Sequence, residues 1–239
     1  MTQNNPLASI TAVIPARNAA PTISDCLEAM LNVLPPEQII LVDDASEDST
    51  AELVKKTNVR VLSLESNSGA AAARNRGLRF AQTEFVLFCD ADVLIQPNGL
   101  LGALETLSNR SDIGGIQGVY SKKTTDDNPC TQYKHFQQLE NIFALPEAKT
   151  PVLGTAIALV RKSTVLQVGG FDDAITGASI EDRLLGQKLW ALGMPMLLQR
   201  SLVGIHAHSW NLKPLISTDF RRARDEISHH SALGEAGRY

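Results

Sequence analysis

The feature that most constrains this chain is a rhythm in its first ninety residues. Short runs rich in β-branched and apolar residues, 10–14, 38–42, 59–64 and 84–89, alternate with helix-patterned stretches. Helices are expected over 22–33, from about 49, and from Ser68-Gly69 to about 81. Pro21 stands just before the first helix, and Ile23, Leu27, Met30 and Leu31 recur on one of its faces. Strands separated by helices in this way specify an α/β domain whose sheet is mixed but mostly parallel and flanked by helices. Pro15 is expected to stop the first strand.

The rhythm weakens after Asn109. A strand over 113–120, a polar loop over 121–128, a helix over 130–145 and an apolar strand over 155–160 are expected there. Gly169-Gly170 then breaks the chain before a loop and a strongly patterned helix over 180–192. The reading is one domain over 1–239, in two halves that share a sheet. Residues 8–95 form a nucleotide-binding half, 96–210 an acceptor half, and 211–239 a helix and tail.

Composition excludes several classes. A net charge of −4 gives no electrostatic footprint for nucleic acid. Three cysteines (Cys26, Cys89, Cys130) fit neither a disulfide framework nor a zinc pattern, and suit a reducing compartment. No run approaches the roughly 18 apolar residues of a membrane span, and no secretory leader pattern opens the sequence. A cytoplasmic location is expected. Peripheral membrane contact has one candidate, a basic amphipathic helix carrying Arg221, Arg222 and Arg224 beside Phe220 and Ile227; a solvated terminal helix is the alternative reading.

In open α/β sheets, ligands bind beyond the carboxyl ends of the strands. Carboxylates stand there twice, at Asp43-Asp44 and at Asp90-Ala91-Asp92. Two aspartates one residue apart after an apolar strand can project into one crevice and hold a hard cation, Mn²⁺ or Mg²⁺. Such a cation would neutralise a departing diphosphate. Gly69 opens an alanine-rich helix with Arg74 one turn inside, where helix amides and a guanidinium could meet phosphate. Gly169-Gly170-Phe171-Asp172 precedes Glu181-Asp182 at another helix start; taken alone, that acidic pair reads as first-turn dipole partners.

These elements, in this order, resemble the family-2 glycosyltransferases. The match runs through Val13-Ile14-Pro15-Ala16-Arg17-Asn18, then Val42 to Thr50, Gly69 to Gly77, Asp90-Ala91-Asp92, Gly169-Gly170-Phe171-Asp172 and Glu181-Asp182, about residues 10 to 195. The resemblance implies the nucleotide-diphospho-sugar transferase (GT-A type) fold. It further implies metal-dependent, inverting transfer of a sugar from a UDP- or GDP-sugar to an acceptor hydroxyl in bacterial-type glycan or glycolipid synthesis. Pro15, Asn18, Asp43 and Asp44 would line the nucleoside pocket, with Gly69, Asp90 and Ala91 also on the donor. Arg74 would steady the base or diphosphate. Asp92, with Asp90, would hold the metal, and Asp182 would be the general base. His208 or His206 would complete the metal shell, with His208 preferred. The acceptor, a glycan, lipid or small molecule, is not named by any motif.

The sequence departs from the family's pattern in three places. Leu184 stands where a further acidic residue is usual, no Gln-x-x-Arg-Trp motif follows residue 193, and no membrane spans follow the domain. The second favours single transfer over chain extension. Three rivals are weaker. A sugar nucleotidyltransferase would continue Val13-Ile14-Pro15-Ala16-Arg17 with a glycine-rich basic loop, and a Rossmann dehydrogenase would show G-x-G-x-x-G. A catalytically inactive nucleotide-sugar-binding domain would have no need of Asp182.

Overall fold

The computed structural model describes residues 6–143, 146–175 and 180–233. In chain order the elements are β1 (Ile10–Ala16), α1 (Ile23–Leu31), β2 (Ile39–Asp43), α2 (Thr50–Val54), β3 (Arg60–Ser63), α3 (Gly69–Phe80) and β4 (Phe85–Cys89). They continue with β5 (Val93–Ile95), α4 (Leu100–Asn109), β6 (Gly115–Tyr120), α5 (Pro129–Phe143), β7 (Lys149–Thr150), β8 (Ile157–Arg161) and α6 (Lys162–Gln167). The last three are α7 (Glu181–Ala191), β9 (Met196–His206) and α8 (Leu212–Leu233). The far end of the helix expected over 130–145 and the tail 234–239 lie outside the described residues.

The strands form one sheet in the order β3-β2-β1-β4-β8-β6-β9-β5, with β7 added beside β9. β1 to β4 are parallel throughout. β8 runs antiparallel between β4 and β6, while β6 and β9 are parallel. The sheet is thus mixed, with more of its paired residues in parallel ladders.

Pro15 does not stop β1, contrary to the sequence expectation. The Ala16 carbonyl accepts the Asp44 amide, so the polar groups of Ala16 face β2. By alternation the ring nitrogen of Pro15 faces the β4 side, where the ladder has already ended at Val13. No ladder hydrogen bond is lost, and the strand runs on to Ala16.

Alternation along β1 also divides the core. Ile10, Ala12 and Ile14 face the layer that holds α1 and α4, and Val13 faces the layer of α3 and α7. The small residues of α3 have a packing reason. A Cβ on Gly77 would stand 2.3 Å from Val13 Cγ1, so only glycine lets this turn lie directly on the sheet. β5, α4, β7 and α6 were not anticipated. β9 reaches from Met196 to His206, well beyond the short apolar run at 202–205 that its sequence displays.

Candidate active site

The loops after β1, β2 and β4 meet at one edge of the sheet. Asp43 and Asp44 are both buried there. Asp44 Oδ1 accepts the Ser68 amide at 2.7 Å and Oδ2 the Gly69 amide at 2.9 Å. This carboxylate therefore occupies the amides at the start of α3, where the sequence suggested room for phosphate. Gly69 takes φ +88°, which the turn into α3 requires. Asp43 Oδ1 accepts the Ser46 amide at 3.2 Å. Asn18 and Ala45 both adopt left-handed backbone, and the two loops are laced together: the Asn18 amide donates to Ser46 Oγ, and Asn18 Oδ1 accepts from the Glu47 amide. Pro15, Asn18, Asp43 and Asp44 thus share one rim.

Arg74 is buried and its fork is already committed. One terminal nitrogen donates to Asp90 Oδ1 at 2.8 Å and the other to Glu181 Oε1 at 2.9 Å. Burial works against its charge, but Asp90 and Glu181 outweigh that and hold the guanidinium firmly protonated. Arg74 forms a strut between the end of β4 and the start of α7, and it also lines the cavity described below. Glu181, read from sequence as a helix-dipole partner, is the other half of this strut. Next to Arg74, Asn75 clamps the double-glycine loop: its amide nitrogen donates to the Phe171 carbonyl at 2.9 Å and its oxygen accepts the Phe171 amide at 3.0 Å.

Asp92 stands beside the end of β9, its carbonyl accepting the Ala207 amide at 2.7 Å. Its Oδ2 stands 3.4 Å from His206 Nε2 and 3.7 Å from His208 Nδ1. Burial pushes the Asp92 carboxyl up, but the two imidazoles outweigh it and leave it below its ordinary value. Burial pulls His208 down against the opposing pull of Asp92, so its ring is neutral and offers a lone pair at neutral pH. His206 is the nearer and more buried of the two. Among the described residues, no three acidic, histidine or cysteine side chains are arranged to enclose a metal ion on their own. The donor chemistry fits a partial shell, one carboxylate with an imidazole, which suits cations that keep most of their positions for water and phosphate oxygens. Ala91 contributes backbone only, its carbonyl accepting from Thr22 Oγ1.

Asp90 and Asp182 line the same cavity of about 260 Å³. Arg74, Glu181, Gln117 to Tyr120 of β6, Gln138 of α5, the stretch 154–157 and Arg222 of α8 complete its wall. Burial, reinforced by the neighbouring Glu181 charge, pushes the Asp182 carboxyl up to about 6 despite the opposing pull of Arg74. Gln138 Oε1 is buried and has no hydrogen-bond donor among the described residues. Gln117, Tyr120, Gln138 and Arg222 were not singled out for this site from sequence. The only signal was indirect: the expectation that the 121–128 loop and the following helix carry acceptor contacts.

The parallel β1–β4 unit, the antiparallel return through β8, and the carboxylate-lined cavity at the strand ends define the fold of a GT-A-type nucleotide-diphospho-sugar transferase. A mannosyltransferase from Pyrobaculum calidifontis, solved with GDP-Man and Mn²⁺, shares this fold with a TM-score of 0.75 at 20% identity, over 96% of this chain and 65% of that one. In sequence, the putative teichuronic acid biosynthesis glycosyltransferase TuaG of Bacillus subtilis is 30% identical over 174 residues, which is 70% of this chain and 67% of TuaG. A poly-beta-1,6-N-acetyl-D-glucosamine synthase of Staphylococcus epidermidis is 29% identical over 121 residues; the match takes in 48% of this chain and 29% of the synthase. The model of glycosyl transferase family 2 matches residues 11–168, and the chain belongs to that family of glycosyltransferases.

Proposed function

We propose that the protein transfers a single sugar from a nucleoside-diphosphate donor, a UDP- or GDP-sugar, to an acceptor hydroxyl with inversion at the anomeric carbon. The observation that carries this reading is the cavity shared by Asp90 and Asp182, in which the Asp182 carboxyl is raised to about 6. A carboxylate of that basicity is deprotonated at neutral pH, yet accepts a proton more readily than an ordinary aspartate. A sugar hydroxyl directed at the anomeric carbon would give its proton to Asp182 as the glycosidic bond to the diphosphate breaks. One carboxylate acting as base in a direct displacement yields inversion.

The donor would lie along the rim formed by Pro15, Asn18, Asp43 and Asp44, with Gly69 and Ala91 as backbone neighbours. Its diphosphate would point toward Asp92. A divalent cation, Mn²⁺ or Mg²⁺, held by Asp92 with His206 or His208 and with Asp90 nearby, supplies charge neutralisation for the leaving diphosphate. Arg74 acts through Asp90 and Glu181 by fixing β4 against α7, which keeps Asp90 and Asp182 at one cavity. Gln138 Oε1 and Gln117 present polar atoms suited to sugar hydroxyls. The acceptor is a glycan, lipid or small molecule of bacterial-type surface synthesis, glycosylated once per encounter in the cytoplasm.

The test pairs transfer with donor binding. Asp182→Asn should abolish transfer while nucleotide sugars still raise the melting temperature in the presence of Mn²⁺. Chelation should stop the wild-type enzyme, and added Mn²⁺ or Mg²⁺ should restore it. Wild-type turnover by the variant would remove Asp182 from the chemistry; full activity in chelator would remove the cation.

A further inference from the structure

The structure divides the basic residues of α8 between two faces. Arg222 turns inward to line the cavity, close to the azimuth of the buried Leu215, seven positions earlier. Another face is apolar and open to solvent: Ile216 is 60% exposed, Phe220 71% and Ile227 67%, with Leu212, 63% exposed, at its border toward Leu215. Ile216 and Phe220 are four apart and Ile227 follows seven later, so these three form one stripe. α5 extends the patch with Tyr133 and Phe136, 57% and 61% exposed. A shallow groove of about 570 Å³ between α5 and α8 joins the two helices. Contiguous exposure of this kind marks an interaction surface rather than scattered surface apolar residues.

Charge identifies the partner. Lys213 stands on the same stripe, seven positions before Phe220, and Arg221 flanks it. Asp219, the carboxylate at the groove, is ion-paired with the buried Lys134. The chain as a whole carries −4, so this basic, apolar face is set against a molecule that is otherwise acidic. An anionic bilayer would attract this face and repel most of the rest, which fixes one orientation. The aromatic and aliphatic side chains would sit at the headgroup boundary while the cations engage lipid phosphates. Among the described residues no helix is long and apolar enough to cross a membrane, so contact through α8 would be interfacial.

We propose that the outward face of α8, with Tyr133 and Phe136 of α5, docks the enzyme onto an anionic phospholipid surface. The inference is independent of the chemistry proposed for Asp182.

The experiment is co-sedimentation of the full chain with phosphatidylcholine vesicles that contain or lack phosphatidylglycerol. Protein should pellet with the phosphatidylglycerol vesicles, and added salt should weaken the binding. Ile216→Ser with Phe220→Ser should lower the partition coefficient by roughly a hundredfold, since each buried apolar side chain contributes about tenfold. Lys213→Glu with Arg221→Glu should lower it by about fivefold per charge removed, and more for the reversal. All four positions are at the surface, so melting temperatures should hold. Equal binding to phosphatidylcholine alone would overturn the anionic specificity. A dimer in analytical ultracentrifugation that the Ile216/Phe220 variant dissolves would overturn the membrane assignment in favour of a second copy. A monomer that ignores both vesicles would overturn it outright.

Discussion

Replacing Arg74 with methionine tests whether the strut holds the site together. The substitution keeps volume and removes the charge that bridges Asp90 and Glu181. The two carboxylates then respond differently. The Asp90 side chain, 33% exposed, regains water, whereas the Glu181 side chain, 4% exposed, remains buried. Breaking a buried pair from one side costs about 3–5 kcal/mol. Water at Asp90 and the other interactions of Glu181 place the expected loss near the lower end, about 3 kcal/mol. For a domain of this size, each kcal/mol moves the midpoint by about 2–4 °C, so calorimetry at pH 7 should show a fall of roughly 6–12 °C. Arg74→Met with Glu181→Met should recover a large part of that loss, because an apolar replacement for both partners avoids the unpaired charge. A fall below about 2 °C in the single variant, or no recovery in the double one, would refute the strut.

The remaining expectations follow from individual contacts. With Asp182 raised to about 6, the acid limb of the transfer rate should bend near pH 6, not near the ordinary aspartate value; a limb near pH 4 would remove Asp182 as the base. The same raised value means that the folded state holds this proton between roughly pH 4 and 6. The ionised carboxylate therefore opposes folding above pH 6, and Asp182→Asn should melt higher than wild type at pH 7.5 but not at pH 4. Gly170→Ala places a Cβ 2.6 Å from Asn75 Oδ1 at a φ of +74°, and should cost about 1–3 kcal/mol as read by denaturant titration. His206→Ala should raise the Mn²⁺ concentration needed for half-maximal activity by roughly ten- to a hundredfold, with melting temperature in EDTA as the control for folding.

Much of the fold was legible because local signals and tertiary packing agree in the first ninety residues. Apolar runs at β1, β2 and β4 are buried along their whole length, so tertiary context had no reason to override them. Past Asn109 the signals separate. β9 is long, but its exposed and half-buried residues interrupt the apolar pattern, and only its last third reads as a strand. β5 and β7 are three and two residues long, too short for any period to register. Pro15 was misread because what decides its effect, the end of the β4 ladder, belongs to another strand. In the site, Asp90 and Asp92 could be picked out from their spacing after a strand, whereas Asp182 emerged only through the family resemblance. Arg74 could be picked out as well, but not its ion pair with Glu181, which lies 107 residues away and leaves no local signal. Arg222 posed the converse difficulty. It is one of three arginines within four residues, and only the direction in which α8 is laid against the cavity separates it from Arg221 and Arg224.

The bridge from Arg74 to Glu181 has a consequence for how the domain can be divided. The stretch that matches the family model ends at residue 168, thirteen positions short of Glu181. A chain cut there would keep the guanidinium and Asp90 but discard the buried counter-charge, the Phe171 loop that Asn75 clamps, and α7 itself. The stretch that the family model matches therefore lacks half of the buried ion pair that ties β4 to α7. Swapping acceptor halves between relatives should succeed only at junctions that carry α3 and α7 across together.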